Sequence, residues 1–190
     1  KSIVFYTSQW SPADADNYDL AVMDLATGAL RQLTNGRPAD RGPRFSPDGT
    51  LVGFLRSYDD AEPAFCTVPW VGGRQPTCYR PPGVTVVGFA GWLDDRYVLL
   101  TADAQGEYVL LRYDIATGAT LLLERQVQLV DLSPDGHWLA WLAEDPESGD
   151  ASWFVSPVED LSRRRQLLLN GSPGTFLRAW MSPPKTSRPD

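Results

Sequence analysis

A chain of 190 residues with 43% apolar and 11% aromatic content carries enough hydrophobic material for one folded domain, which excludes a disordered or low-complexity chain. Its net charge of -7, from 24 acidic residues against 17 basic ones, excludes a nucleic-acid partner held through phosphate contacts. No apolar run reaches the length of a bilayer span, and with Lys1 first and no signal-peptide pattern the sequence is expected to be a mature or excised piece.

In chain order the elements repeat. Ile3 to Thr7 reads as an opening strand, and Asp19 to Leu25 turns at Ala26-Thr27-Gly28 into Leu30 to Leu33. Arg44-Phe45-Ser46-Pro47-Asp48-Gly49-Thr50 continues to Phe54 as strand, tight turn and strand. Phe65 to Trp70 turns at Val71-Gly72-Gly73 into Thr77 to Tyr79, and Gly91 to Leu100 repeats the strand-turn-strand frame. Tyr108 to Ile115 turns at Ala116-Thr117-Gly118 into Thr120 to Leu123, and Asp131 to Trp141 carries a second Ser-Pro-Asp-Gly turn. Trp153 to Pro157 leads through Val158 to Ser162 into Gln166 to Leu169, and Phe176 to Met181 closes the series.

The turn centres recur about every 45 residues, the period of a four-stranded propeller blade. With blade strands named a to d from the inside outward, the chain opens on a strand b and closes on a strand a. The expected fold is all-β, a β-propeller of four-stranded antiparallel blades, four in number, with the first completed by both termini. The propeller is expected over 1-182, in repeat units 1-34, 43-79, 87-123 and 130-169 with a closing strand at 176-181. The segment 183-190 reads as a disordered tail or linker.

The phrase Tyr18-Asp19-Leu20 to Leu33-Thr34, with Met23-Asp24-Leu25 and Thr27-Gly28 inside it, is followed by Phe45-Ser46-Pro47-Asp48-Gly49-Thr50. It resembles the WD-like repeat of TolB-type propellers, and the resemblance covers nearly the whole chain. Such repeats occur in periplasmic scaffolds, sensor domains and the gating domains of serine peptidases, so the resemblance implies a fold more than a function. TolB-type rings have six blades and this chain supplies four. A small closed ring is favoured, beside a fragment of a larger ring or a ring shared by two copies.

Residues for chemistry are few. His137, just after a Ser-Pro-Asp-Gly turn, reads as a surface residue, with no second histidine at ligand spacing. No nucleophile elbow, phosphate loop or dinucleotide fingerprint is present, so no catalytic residue, metal or cofactor is expected. Cys66 and Cys78 lie symmetrically about the turn at Gly72, which sets them opposite each other on paired strands and predicts a disulfide. A disulfide places the chain in an extracytoplasmic compartment, whether secreted, periplasmic or the outer domain of a membrane-anchored protein.

Acidic residues concentrate in the loops joining strands b and c: Asp14, Asp16 and Asp19; Asp59, Asp60 and Glu62; Asp103 and Glu107; Glu144, Asp145, Glu147 and Asp150. The d-to-a connections emerge on the same face and carry Arg37, Arg41, Arg80 and Arg125. This predicts an acidic rim around an inner scatter of arginines, able to steer a peptide or protein partner. The loop spacing Asp14-x-Asp16-Asn17-x-Asp19 also suits Ca²⁺, but it lacks the glycine and distal glutamate of an EF-hand. Trp10 falls outside any strand pattern and reads as a ligand contact. Trp92, Trp138, Trp141, Trp153 and Trp180 read as packed between blades, and Trp70 fits either role.

These residues point to a non-catalytic binding or sensor module meeting a peptide, protein or polymer on its loop-bearing face. The candidate ligand-binding residues are Trp10, Asp14, Asp16, Asp19, Arg37, Asp59, Asp60, Arg80, Glu144 and Asp145. A homodimer and a membrane anchor elsewhere in the protein are compatible with this reading. The alternatives are the propeller domain of a peptidase or glycoside-active enzyme, and a self-associating scaffold. For the enzyme, Asp131 is the channel carboxylate to watch, with an ion pair to Arg44 as its expected structural role.

Overall fold

The computed structural model describes residues 1–10, 17–144 and 151–167. Apart from a one-turn 3₁₀ helix at Leu161–Arg163, the regular structure in them is strand, arranged as four antiparallel sheets that follow one another along the chain. Blade 1 holds β1 (Ser2–Thr7), β2 (Asp19–Asp24) and β3 (Leu30–Gln32). Blade 2 holds β4 (Ala39–Phe45), β5 (Leu51–Ser57), β6 (Ala64–Pro69) and β7 (Thr77–Tyr79). Blade 3 holds β8 (Thr85–Trp92), β9 (Tyr97–Ala104), β10 (Glu107–Asp114) and β11 (Thr120–Arg125). Blade 4 holds β12 (Val127–Leu132), β13 (Trp138–Glu144), β14 (Ala151–Pro157) and β15 (Arg165–Leu167). The expected closing strand at 176-181 and the tail at 183-190 lie outside the described residues.

The repeated turns are built twice from the same atoms. Asp24 Oδ1 accepts from the backbone of Ala26 and Thr27, both at 2.9 Å, and Asp114 Oδ1 accepts from Ala116 and Thr117. Gly28 and Gly118 close these turns at φ +70° and +76°, a corner that favours glycine. In the Ser-Pro-Asp-Gly turns the serine is the hub. Ser46 Oγ donates to Asp48 Oδ1 at 2.6 Å and accepts from Leu51 N at 3.0 Å, while Ser133 Oγ donates to Asp135 at 2.6 Å and accepts from Trp138 N at 2.8 Å.

Inner strands begin earlier than the sequence suggested, at residues 39, 85 and 127 rather than 43, 87 and 130. Gly42 and Pro43 look like a break, yet they form a bulge inside β4, where the register passes from Arg41 opposite Leu55 to Arg44 opposite Gly53. Arg41 therefore belongs to a strand and not to a connection.

The cores lie between blades. Leu20 and Val22 meet Val52, Phe54 and Val68 at the first junction; Phe65 meets Trp92, Val98 and Leu100 at the second; Leu99 and Leu110 meet Leu139, Trp141 and Phe154 at the third. Consecutive residues of β9 thus serve opposite junctions, which is why the central strands are apolar on both faces. At the second junction a Cβ on Gly53 would stand 2.9 Å from Trp92 and 3.1 Å from both Phe65 and Phe89.

Trp92, Trp141 and Trp153 are buried as expected, and Trp180 lies outside the described residues. Trp138 departs from expectation, with 45% of its surface exposed. It opens β13 at the turn, and Leu139 and Trp141 further along that strand fill the junction instead. Cys66 pairs directly with Cys78 across β6 and β7, and the two are disulfide-bonded with their Cα atoms 4.0 Å apart.

Candidate binding face

Strands b and d run in the same direction in an antiparallel blade, so the b-to-c and d-to-a connections emerge together at one end. At that end of blade 2 the Arg80 guanidinium lies 5.1 Å from the ring centre of Tyr58 and donates to the Glu62 carbonyl at 3.4 Å. The Glu62 carboxylate accepts from Thr85 Oγ1 at 3.2 Å, tying the b-to-c loop to the first residue of β8. In blade 3 Arg125 and Glu107 form an ion pair at the equivalent place. Between blades 1 and 2 the Arg41 guanidinium lies 4.8 Å from the ring centre of Tyr18, and Tyr18 meets Tyr6 edge-on at 5.4 Å. Three arginines near the d-to-a crossings are thus each set on a residue at a b-to-c crossing.

Asp59, Asp60, Arg37 and Arg80 are exposed on this face, and Trp10 sits half-buried in the turn after β1. Asp14, Asp16 and Asp145 lie outside the described residues, as does the side chain of Glu144. The blade 3 connection is shorter than expected. Asp103 and Glu107 are strand residues, and the turn between the strands is Gln105 and Gly106, at φ +62° and +92°, with the Gly106 N–H bonded to Asp103.

Asp19 is not on the rim. It is 3% exposed at the start of β2; Oδ2 accepts from Gln32 Nε2 at 3.0 Å, and Oδ1 has no hydrogen-bond partner. Burial raises its pKa above the ordinary carboxylate value; the Gln32 bond works against this, the neighbouring Asp40 adds to it and Arg56 offsets part. Asp40 itself is fully buried and paired to Arg56 through both oxygens, at 2.7 Å each. Among the described residues no cluster of three or more His, Cys, Asp or Glu could hold a metal ion.

One feature of this face escaped the sequence reading. A recess of about 460 Å³ opens between β8 and β12, lined by Val87, Thr101, Tyr108, Gln128 and Leu129. Tyr108 and Leu129 are 51% and 43% exposed there, and a Tyr at the mouth of a b-to-c hairpin is the signal that could have found it. Gly88 sits below, where a Cβ would collide with Thr101 Oγ1. His137 is exposed, as expected, and lines a separate groove of about 420 Å³ with Arg112, Leu121 and Leu161 on the opposite side of the blades. Arg44 has no carboxylate partner among the described residues, so the expected pair with Asp131 does not form.

Solved structures share this fold. The TolB crystal structure from Acinetobacter baumannii superposes with a TM-score of 0.63 at 20% identity, covering 84% of this chain and 39% of that one. The fold is that of a TolB-type β-propeller. A putative TolB from Agrobacterium tumefaciens gives a TM-score of 0.58 at 19% identity over 78% of this chain and 54% of its own. The tricorn protease gives 0.65 at 14% identity over 87% of this chain and 21% of its own. The chain therefore spans about two fifths to half the length of these two TolB proteins. No protein-family model matches the sequence, and no curated protein does. In this TolB-type fold the stacked arginines mark the end of the blades where the b-to-c loops emerge.

Proposed function

We propose that this chain is a non-catalytic, extracytoplasmic binding module that meets a protein or peptide on its loop-bearing face. The observation that carries the reading is the setting of Arg41 on Tyr18, Arg80 on Tyr58 and Arg125 on Glu107 at one end of three consecutive blades. Guanidinium stacking and pairing fix these side chains before any ligand arrives, which lowers the ordering cost of recognition. The Cys66–Cys78 bond supports an oxidising compartment, and among the described residues no helix is long and apolar enough to cross a membrane.

The likeness to the tricorn protease favours a second reading, a propeller domain within a larger peptidase. Photo-crosslinking in the native host separates loop-face binding from other modes. A photoreactive residue at Asp60 is expected to yield discrete adducts, and one at Pro134, on the opposite end, none. Equal yields from both positions would overturn the proposal.

A further inference from the structure

We infer that Arg37, Arg41 and Arg44 form a receiving strip for an extended, carboxylate-rich peptide segment, aligned along β4. This rests on the binding-module reading and names the chemistry of its partner. All three arginines are exposed, and among the described residues none has a carboxylate partner. The contrast is with Arg56, Arg96, Arg125 and Arg164, each of which is ion-paired. In a chain of net charge -7, three neighbouring arginines with no carboxylate partner among the described residues are a place where outside acids fit.

The backbone accounts for the display. Residues three apart on an unbroken strand face opposite sides, but the bulge at Gly42-Pro43 takes up the extra residue. Arg41 and Arg44 stand opposite Leu55 and Gly53, which are two strand steps, about 7 Å, apart along β5. Alternate side chains of an extended peptide have the same spacing, about 7 Å. Gly42, at φ +62°, has no atom within 4 Å of where a Cβ would stand, which leaves main chain open between the two arginines.

Arg41 is anchored at its side chain and Arg44 at its backbone, and neither guanidinium is used up. The Tyr18 ring takes the face of the Arg41 guanidinium, and stacking leaves its in-plane N–H groups for an acceptor. The Arg44 carbonyl accepts from Trp92 Nε1 at 3.1 Å, which holds the backbone below its side chain. Open main chain beside alternating positive charge favours a peptide over an acidic polysaccharide, because a peptide can also bond to the strand.

The test uses the full chain and an acetylated Glu-Thr-Glu-Thr-Glu peptide, followed by calorimetry, with Gln-Thr-Gln-Thr-Gln and trigalacturonate as comparisons. The acidic peptide is expected to bind, the glutamine peptide to bind at least tenfold more weakly, and Arg41→Gln/Arg44→Gln to lose at least tenfold in affinity at unchanged melting temperature. Equal affinity of the double variant, a preference for trigalacturonate, or no binding by the unaltered chain would each overturn the inference. Loop-face crosslinks obtained alongside any of those results would leave the binding-module reading standing and remove only the acidic peptide.

Discussion

Asp40 and Arg56 face each other across β4 and β5 as a two-pronged ion pair, with both N···O distances 2.7 Å and the carboxylate fully buried. Removing one partner of such a pair strands the other charge away from water. Arg56→Ala is therefore expected to destabilise the fold by about 3 to 5 kcal/mol, measured by urea unfolding. A loss below 1 kcal/mol would show that water reaches Asp40.

Asp19 lies beside that pair with an oxygen that bonds to nothing. Its pKa is raised above 3.8 in the folded state, so the ionised form costs stability, and the cost is relieved as pH falls through the folded pKa. Asp19→Asn should stabilise the fold at pH 7 by about 1 kcal/mol, because a neutral amide is cheaper to bury than a carboxylate. The gain should shrink as the solution is acidified through the raised pKa, a crossover that melting curves of the two proteins from pH 7 to pH 3 would reveal. A gain that persists unchanged at pH 3 would assign it to packing instead.

Acid should weaken the turns in the opposite sense. The carboxyl of Asp48 is held below 3.8 by Ser46 and by Thr50, and that of Asp135 by Ser133 and the His137 N–H. A lowered folded pKa gives stability that is present above the ordinary value and lost as pH falls through the folded one. Ser46→Ala removes the hub of one turn and should cost about 1 kcal/mol at neutral pH. It should also move the pKa of Asp48 upward in a carboxyl-resolved NMR titration, and an unmoved pKa would deny the serine its role.

Gly53→Ala tests the second junction. The added methyl meets Trp92, Phe65 and Phe89 at once, and three rings packed on each other have little room to yield. A loss of about 1 to 3 kcal/mol is expected, read as a drop in urea midpoint at unchanged slope.

The disulfide closes a loop with a sequence separation of 12 and should contribute about 3 kcal/mol by restricting the unfolded chain. Titration of the unfolded, unreduced protein should find no free thiol. Two free thiols would remove the argument for an oxidising compartment.

Much of the fold was legible because its turns are local. Gly28, Gly49, Gly118 and Gly136 all take positive φ within a few residues of the Asp or Ser that organises each turn, and such units repeat wherever the residues do. The bulge in β4 was hidden for the converse reason. Gly42-Pro43 is the composition of a loop, and only pairing with β5 makes it part of a strand.

The sequence by itself determined the sheet order, the period of the blades and the pairing of Cys66 with Cys78, since each follows from spacing along a few tens of residues. Tertiary structure alone decided which polar residues the face presents. Asp19 sits in an acidic stretch of sequence as the exposed Asp59 and Asp60 do, but it is buried and feels the charges of Asp40 and Arg56 from the next blade, and Arg41 reaches back to Tyr18 across the same junction. Burial and stacking of this kind depend on how one blade seats on another, and no local pattern of residues encodes that distance.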